Sequence, residues 1–164
     1  MTAPGAEPLA EAEAALARLG ESLVISYAFD ATAATFTLVA DYPDRAPGAQ
    51  RSFVALRFSG VRSFRRDPGD FAELQAFTGT YSLAGSPRPI VIQHLRATGS
   101  AGDRSVELWL GPNFGGIAFS YDALTGFVRH ARAEAHGGEW IYRDARTGEP
   151  FDFARPFAGS LDPS

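Results

Sequence analysis

Residues 105–126, SVELWLGPNFGGIAFSYDALTG, place an apolar side chain at every second position on both sides of a glycine-rich loop. Before the loop, the alternating apolar residues are Val106, Leu108 and Leu110. After the loop, the alternation continues in GIAFSY with Ile117, Phe119 and Tyr121. A period of two is typical of a half-buried β-strand. The loop GPNFGG is therefore predicted to join two antiparallel strands as a hairpin.

The same loop contains enough glycine to raise the question of phosphate binding. Loops that cradle phosphate lead directly into the N-terminus of a helix, and they usually carry a lysine. Here a strand pattern follows the glycines, and all 15 basic residues of the chain are arginines. These two observations favour a hairpin over a phosphate site.

Further turn signals follow at short intervals. The sequences DALTG at 122–126 and DARTG at 144–148 share an aspartate that can cap the turn amides and a glycine that can take a positive φ. A third turn, AHGGE, lies at 135–139. Hairpins at all three places would produce a five-stranded antiparallel meander over about residues 104–154.

Two helices are predicted upstream of this meander. One runs from Pro8 to Leu19 and ends at Gly20, since glycine is a common C-terminal cap. The capping sequence DPGDFAEL predicts a second, shorter helix over about residues 70–78.

Period-two patterns predict further strands at 23–29, 36–42, 51–58 and 89–97. The strand at 51–58 is expected to continue in bent form past Gly60 through Phe64. One face of the first strand is expected to carry Leu23, Ile25, Tyr27 and Phe29.

The fold predicted from these elements is a β-rich α+β domain. Its antiparallel sheet or meander curls into a barrel or folds into a two-layer sandwich, and the N-terminal helix and one short helix pack on it. The domain spans residues 1–164, with an ordered core over about 8–157, because both ends are short, polar and proline-bearing.

Composition excludes several functions. The chain has no cysteine, which rules out disulfides, thiolate zinc sites and cysteine nucleophiles. A formal net charge of -4 makes nucleic acid an improbable partner, since such binding requires a basic face. The N-terminus lacks a signal-peptide pattern and no apolar run is long enough to cross a membrane, so a cytoplasmic protein is expected. Arginine without lysine is typical of GC-rich coding and indicates a bacterial source.

The segment 51–66 is the most unusual charge feature, because it combines arginines with phenylalanines and contains no acidic residue. Arginine and aromatic side chains are enriched in protein interfaces. The predicted partner-binding residues are Arg57, Arg62, Phe64, Arg65 and Arg66. The alternative is an ordinary amphipathic strand whose phenylalanines are buried and whose arginines pair with aspartates such as Asp67.

A second interpretation is a small-ligand binder with an aromatic cavity. The candidate lining residues are Trp109, Phe119, Trp140 and Tyr142. Trp109 is out of phase with its apolar neighbours and belongs to the opposite face of its strand. We expect it to be covered by a helix, with exposure for binding as the alternative.

A third interpretation is a metal-assisted enzyme. His130, Glu134 and His136 share a parity, although Arg132 lies between them and His130 and Glu134 would stand about 13 Å apart on a strand. No catalytic residue is assigned, because the chain has no nucleophile-elbow sequence and its carboxylates form no distinctive pair. No cofactor is expected.

The favoured function is a non-catalytic bacterial protein-binding module of the cytoplasm, of an accessory or immunity type. Its expected partner is another protein, and a homodimer formed through an open sheet edge is a further possibility.

Overall fold

A computed structural model describes residues 9–42, 51–70, 79–83, 88–100, 102–145, 147–151 and 153. Within these residues it contains one helix and ten strands. The elements are α1 (Leu9–Leu16), β1 (Val24–Asp30), β2 (Thr35–Asp41), β3 (Arg51–Ser59), β4 (Arg62–Pro68), β5 (Thr80–Ser82), β6 (His94–Ser100), β7 (Asp103–Trp109), β8 (Gly115–Tyr121), β9 (Ala123–His136) and β10 (Glu139–Asp144).

The strands form two antiparallel sheets. A six-stranded sheet has the order β10-β9-β3-β2-β1-β5, and a four-stranded sheet has the order β4-β8-β7-β6. One sheet curls into a half-barrel. The predicted β-rich, antiparallel α+β fold is confirmed. The second helix predicted near residues 70–78 falls almost entirely on 71–78, which lie outside the described residues.

One bent two-stranded ribbon connects the sheets. The chain passes from β3 to β4 at Gly60 and from β8 to β9 at Asp122. The register of this strand pair does not shift at the bend, because Ser59 opposes Ala123 on one side and Arg62 opposes Ser120 on the other. The bent continuation predicted past Gly60 is therefore confirmed.

The hairpin predicted at DALTG is wrong. The Asp122 amide donates to the Ser59 carbonyl at 2.9 Å, which keeps the chain in the ladder instead of reversing it. Thr125 and Gly126 lie inside β9, where they pair with β3. As a result β8 and β9 belong to different sheets, and the predicted five-stranded meander does not form.

The other predicted turns are confirmed. GPNFGG joins β7 to β8, and Gly111 and Gly115 both take positive φ there. The turn at Gly137 and Gly138 joins β9 to β10. In DARTG, the Asp144 carboxylate accepts the Thr147 amide at 3.1 Å, as expected for an aspartate that caps a turn.

The main core lies between the sheets. Phe36, Phe58 and Phe119 are nearly fully buried there and pack ring against ring, with centroids 4.9–6.1 Å apart. Burying a phenylalanine stabilises the fold by about 1.5–3 kcal/mol. The helix α1 adds the buried residues Ala12 and Leu16 to the same cluster.

The prediction that one face of β1 carries Leu23, Ile25, Tyr27 and Phe29 is wrong. A β-bulge interrupts the strand between Val24 and Ser26. Val24 and Tyr27 consequently face the main core, whereas Ile25 belongs to a second cluster on the other side of the sheet. The extra residue of a bulge changes the side on which the following residues lie.

The second cluster covers the outer face of the six-stranded sheet. Phe53 is its centre and contacts Tyr142, Phe151 and Phe153 edge to face. The Ser26 hydroxyl donates to the Phe153 carbonyl at 3.0 Å, which fixes the chain after β10 against this sheet. Among the described residues, no helix has the length and apolarity needed for a membrane crossing.

Candidate binding groove

The outer face of the four-stranded sheet carries two transverse rows of side chains, set by the strand register. The first row runs Asp67, Gly116, Trp109 and His94 across β4, β8, β7 and β6. The second row runs Arg65, Ala118, Glu107 and Arg96 in the same strand order. The intervening residues of β7 and β8 point into the core.

These two rows line a groove because their second members are small. Gly116 and Ala118 form the floor along β8, while β4 provides one wall and β7 with β6 the other. The groove has a volume of about 370 Å³. A second depression of about 250 Å³, lined in part by Ser63, Ser105 and Ser120, continues it along β8. We call the two together the outer groove.

Trp109 is 40% exposed and forms part of the groove wall. The expectation that a helix covers this side chain is wrong, because its face of β7 is open to solvent while Leu108 and Val106 supply the buried face. A Cβ atom on Gly116 would lie 3.5 Å from Cε3 of Trp109, which is ordinary van der Waals contact, so the glycine lies directly beside the indole ring.

The charges along the groove are balanced and only partly paired. Arg96 and Glu107 form an exposed ion pair at 2.6 Å. The side chains of Arg65, Asp67 and His94 make no hydrogen bond or ion pair with the described part of the chain. A cation and an anion on one wall thus remain available to a ligand.

The structure distributes the five predicted partner-binding residues over several environments. Arg57 lies on the outer face of the six-stranded sheet, in phase with Phe53 rather than with the inward Leu56. Arg62 lies at the bend, where it pairs with Asp122 at 2.5 Å. Only Arg65 reaches the outer groove.

Phe64 and Arg66 point inward. Phe64 stacks on Phe29 with a centroid distance of 4.0 Å. Arg66 lies over the Phe114 ring at 4.1 Å and donates to the carbonyls of Phe114 and Gly116 at 2.7 and 3.0 Å. A β-bulge around Ser63, which takes a φ of 56°, brings Arg65 to the outside and its neighbours to the inside.

The four candidate cavity residues are not brought together. Phe119 is a core residue between the sheets, and Trp109 lies on the outer side of the four-stranded sheet. Tyr142 packs on the outer face of the six-stranded sheet, where its hydroxyl accepts a hydrogen bond from Arg51 at 2.9 Å. Trp140 pairs with Ala135 in the β9–β10 ladder, but its side chain lies outside what the structure describes.

The candidate metal ligands have separate partners. The Nδ1 atom of His130 lies 2.7 Å from the Ser52 hydroxyl. Glu134 accepts a hydrogen bond from Arg143 at 3.2 Å. The side chain of His136 is outside the described part. Within the described residues no three potential ligands form a group that could hold a metal ion.

Sequence reasoning missed the groove floor and four wall residues, namely Asp67, His94, Arg96 and Glu107. A signal for the floor was present: Gly116, Ala118 and Ser120 alternate with the buried Ile117 and Phe119. Three successive small residues on the solvent phase of a central strand leave a depression between their neighbours. The residues that lie beside this strand in the sheet depend on the strand order, and the alternation along one strand does not predict that order.

Comparison with known proteins gives no family assignment. No protein-family model matches the chain, and neither the curated proteins nor the solved structures contain a significant match to it.

Proposed function

We propose that this chain is a non-catalytic binding module of the bacterial cytoplasm, that its partner is another protein, and that the outer groove is the contact surface. An accessory or immunity-type role fits such a module. Of the five partner-binding residues predicted from segment 51–66, this surface includes Arg65.

The observation that carries this proposal is the environment of Trp109. A 40% exposed indole beside the floor of a groove, with Arg65 on the opposite wall, combines the two side chains most enriched in binding hot spots. The small floor residues allow a partner side chain to approach the ring and be desolvated there.

The test is affinity capture of the partner from a lysate of the source cell, followed by quantitative mass spectrometry. Ala118→Arg fills the groove from its floor without removing a core contact, because Ala118 faces the outer groove. Ala28→Arg is the matched control, since Ala28 is an exposed alanine in the middle of β1, away from the groove.

We expect a stoichiometric protein partner that wild type and Ala28→Arg retain equally and that Ala118→Arg loses. Equal retention by all three proteins would remove the groove from the interface. Native mass spectrometry of the purified wild-type chain gives a second readout. A small-molecule mass that Ala118→Arg displaces would replace the protein partner by a low-molecular-weight ligand.

A further inference from the structure

We infer that the outer groove binds an extended segment of its partner that carries a basic and an acidic side chain two positions apart. This inference rests on the proposed function, and it specifies the partner's chemistry at the same site. Its basis is the spacing and charge of the two rows that cross the sheet.

The rows repeat at the spacing of an extended chain. Asp67 and Arg65 are two residues apart on β4, as are Gly116 and Ala118 on β8, so the rows are about 6.6 Å apart. An extended segment lying along β8 places every second side chain downward at the same interval. Two successive downward side chains therefore meet one row each.

The first row suits a basic side chain. The Asp67 carboxylate and the Trp109 indole face each other across Gly116, on strands about 10 Å apart because two inter-strand spacings separate them. A guanidinium or ammonium group between them pairs with the carboxylate and lies within the distance of about 6 Å at which a ring attracts a cation. The missing Cβ of Gly116 provides the space.

The second row suits an acidic side chain. Arg65 makes no ion pair with the described residues, and its opposite wall is the pair formed by Glu107 and Arg96. Arg96 already neutralises the charge of Glu107, so the net charge of the second row is the positive charge of Arg65. An arginine fork binds a carboxylate through two parallel hydrogen bonds.

The segment binds through side chains and not by adding a strand. The floor strand β8 lies between β4 and β7, so its backbone groups are used by its neighbours on both sides. Peptides that extend a sheet need an open edge, which a groove over a central strand does not offer. Specificity at this site therefore depends on the two charged rows and the indole.

The first experiment selects a phage-displayed library of random linear peptides against the immobilised full chain. Parallel selections use Ala118→Arg and the control Ala28→Arg. Wild type and the control are expected to enrich peptides with a basic and an acidic residue separated by one position, and Ala118→Arg is not. Asp67→Ala is expected to weaken the selected peptides by about tenfold or more, the effect of losing one charged hydrogen bond.

The second experiment changes the charge of one row at a time, in the variants Arg65→Asp and Asp67→Arg. Both side chains are exposed, so the variants are expected to fold. Arg65→Asp should select peptides with two basic residues two positions apart, and Asp67→Arg should select peptides with two acidic residues at that spacing. This expectation holds whichever way the segment runs along β8, and a non-specific attraction does not produce the two-position spacing.

The outcomes separate this inference from the proposed function. Groove-dependent peptides without the two-position charge pattern, or a selected pattern that Arg65→Asp and Asp67→Arg do not change, overturn the inference and leave the groove as a binding site. If no peptide depends on the groove while Ala118→Arg still loses the captured partner, the inference is again overturned and the proposed function stands. If Ala118→Arg affects neither experiment, both fail.

Discussion

Trp109 and Gly116 stand opposite each other in β7 and β8, and the glycine places no side chain between the indole and the Asp67 carboxylate. A Cβ atom at Gly116 would be 3.5 Å from the Trp109 ring and 3.8 Å from the Asp67 carboxylate. The indole and the carboxylate thus border one open position. The proposed function therefore assigns Trp109 a larger part in binding than in the stability of the fold.

Trp109→Ala is predicted to abolish partner capture and to lower the free energy of unfolding by about 1–2 kcal/mol, because the 40% exposed indole is also partly buried against its own sheet. Leu108→Ala is the stability control, since Leu108 is 3% exposed and its truncation should cost about 2–5 kcal/mol. Urea unfolding and partner capture measure the two properties. A large loss of stability in Trp109→Ala would mean that the indole is a structural residue.

Arg65 and Arg66 are adjacent, yet we predict that Arg65→Ala weakens binding and that Arg66→Ala lowers stability. Arg66→Ala removes hydrogen bonds to the carbonyls of Asp67, Phe114 and Gly116 and the contact with the Phe114 ring, so it should lower the free energy of unfolding by about 2–4 kcal/mol. Arg65→Ala should leave stability within about 0.5 kcal/mol of wild type and weaken partner capture. Urea unfolding of both variants checks the first part, and capture with Arg65→Ala the second. Similar losses of stability in the two variants would contradict the inward and outward assignment.

The elements of the fold were predictable because they depend on local patterns. Phe36, Leu38 and Ala40 alternate in the sequence, and all three are buried on one face of β2 in the structure. The GPNFGG hairpin followed from the same alternation on both sides of the loop. In these segments the local pattern and the tertiary contacts agree.

The bulges and the bend were less predictable because they depend on what each strand meets. A single inserted residue near Ser63 decides that Arg65 is exposed and Arg66 is not, although the segment reads as one arginine-rich strand. The turn sequence DALTG matches DARTG in four of its five residues, but the first is held extended by its pairing with β3. The outer groove combines residues from four strands, so strand order had to be known first.

Gly60 is predicted to be intolerant of any side chain, because it takes a φ of 65° and a Cβ there would lie 2.8 Å from the Cβ of Asp122. A residue other than glycine in this backbone conformation costs about 1–3 kcal/mol. Gly60→Ala should therefore lower the midpoint of urea unfolding without changing its slope. Gly79→Ala is the matched control, because a Cβ at Gly79 meets nothing within 4 Å.

The double variant Gly60→Ala and Asp122→Gly separates the two causes. It removes the whole Asp122 side chain, including the Cβ that the new methyl group would meet, and keeps the backbone strain at position 60. The exposed ion pair with Arg62 is lost as well, which is worth about 0–1 kcal/mol. Partial recovery of the unfolding midpoint is expected. If Gly60→Ala unfolds at the same urea concentration as Gly79→Ala, the bend is not constrained in the way the structure indicates.

Stability is predicted to fall between about pH 10 and pH 12 because of Tyr27. Burial raises the pKa of its hydroxyl to about 12, and the nearby Arg66 guanidinium offsets part of that effect. The unfolded chain ionises at the ordinary value of 10.0, so the stabilisation is complete below that pH and is lost as the pH rises through the folded value. A difference of about two pH units corresponds to about 3 kcal/mol.

Urea unfolding at about pH 9 and about pH 12 measures this loss, and tyrosinate absorbance reports the ionisation itself. The chain has neither lysine nor cysteine, so neither an ammonium nor a thiol group of a side chain complicates the tyrosinate measurement. Tyr27→Phe should be less stable than wild type at neutral pH, since it loses a hydrogen bond from Arg66, but its stability should decline less at alkaline pH. Tyr42→Phe, which removes a half-buried hydroxyl, is the control and should keep the wild-type decline. An equally steep decline in Tyr27→Phe would assign the alkaline transition to another tyrosine.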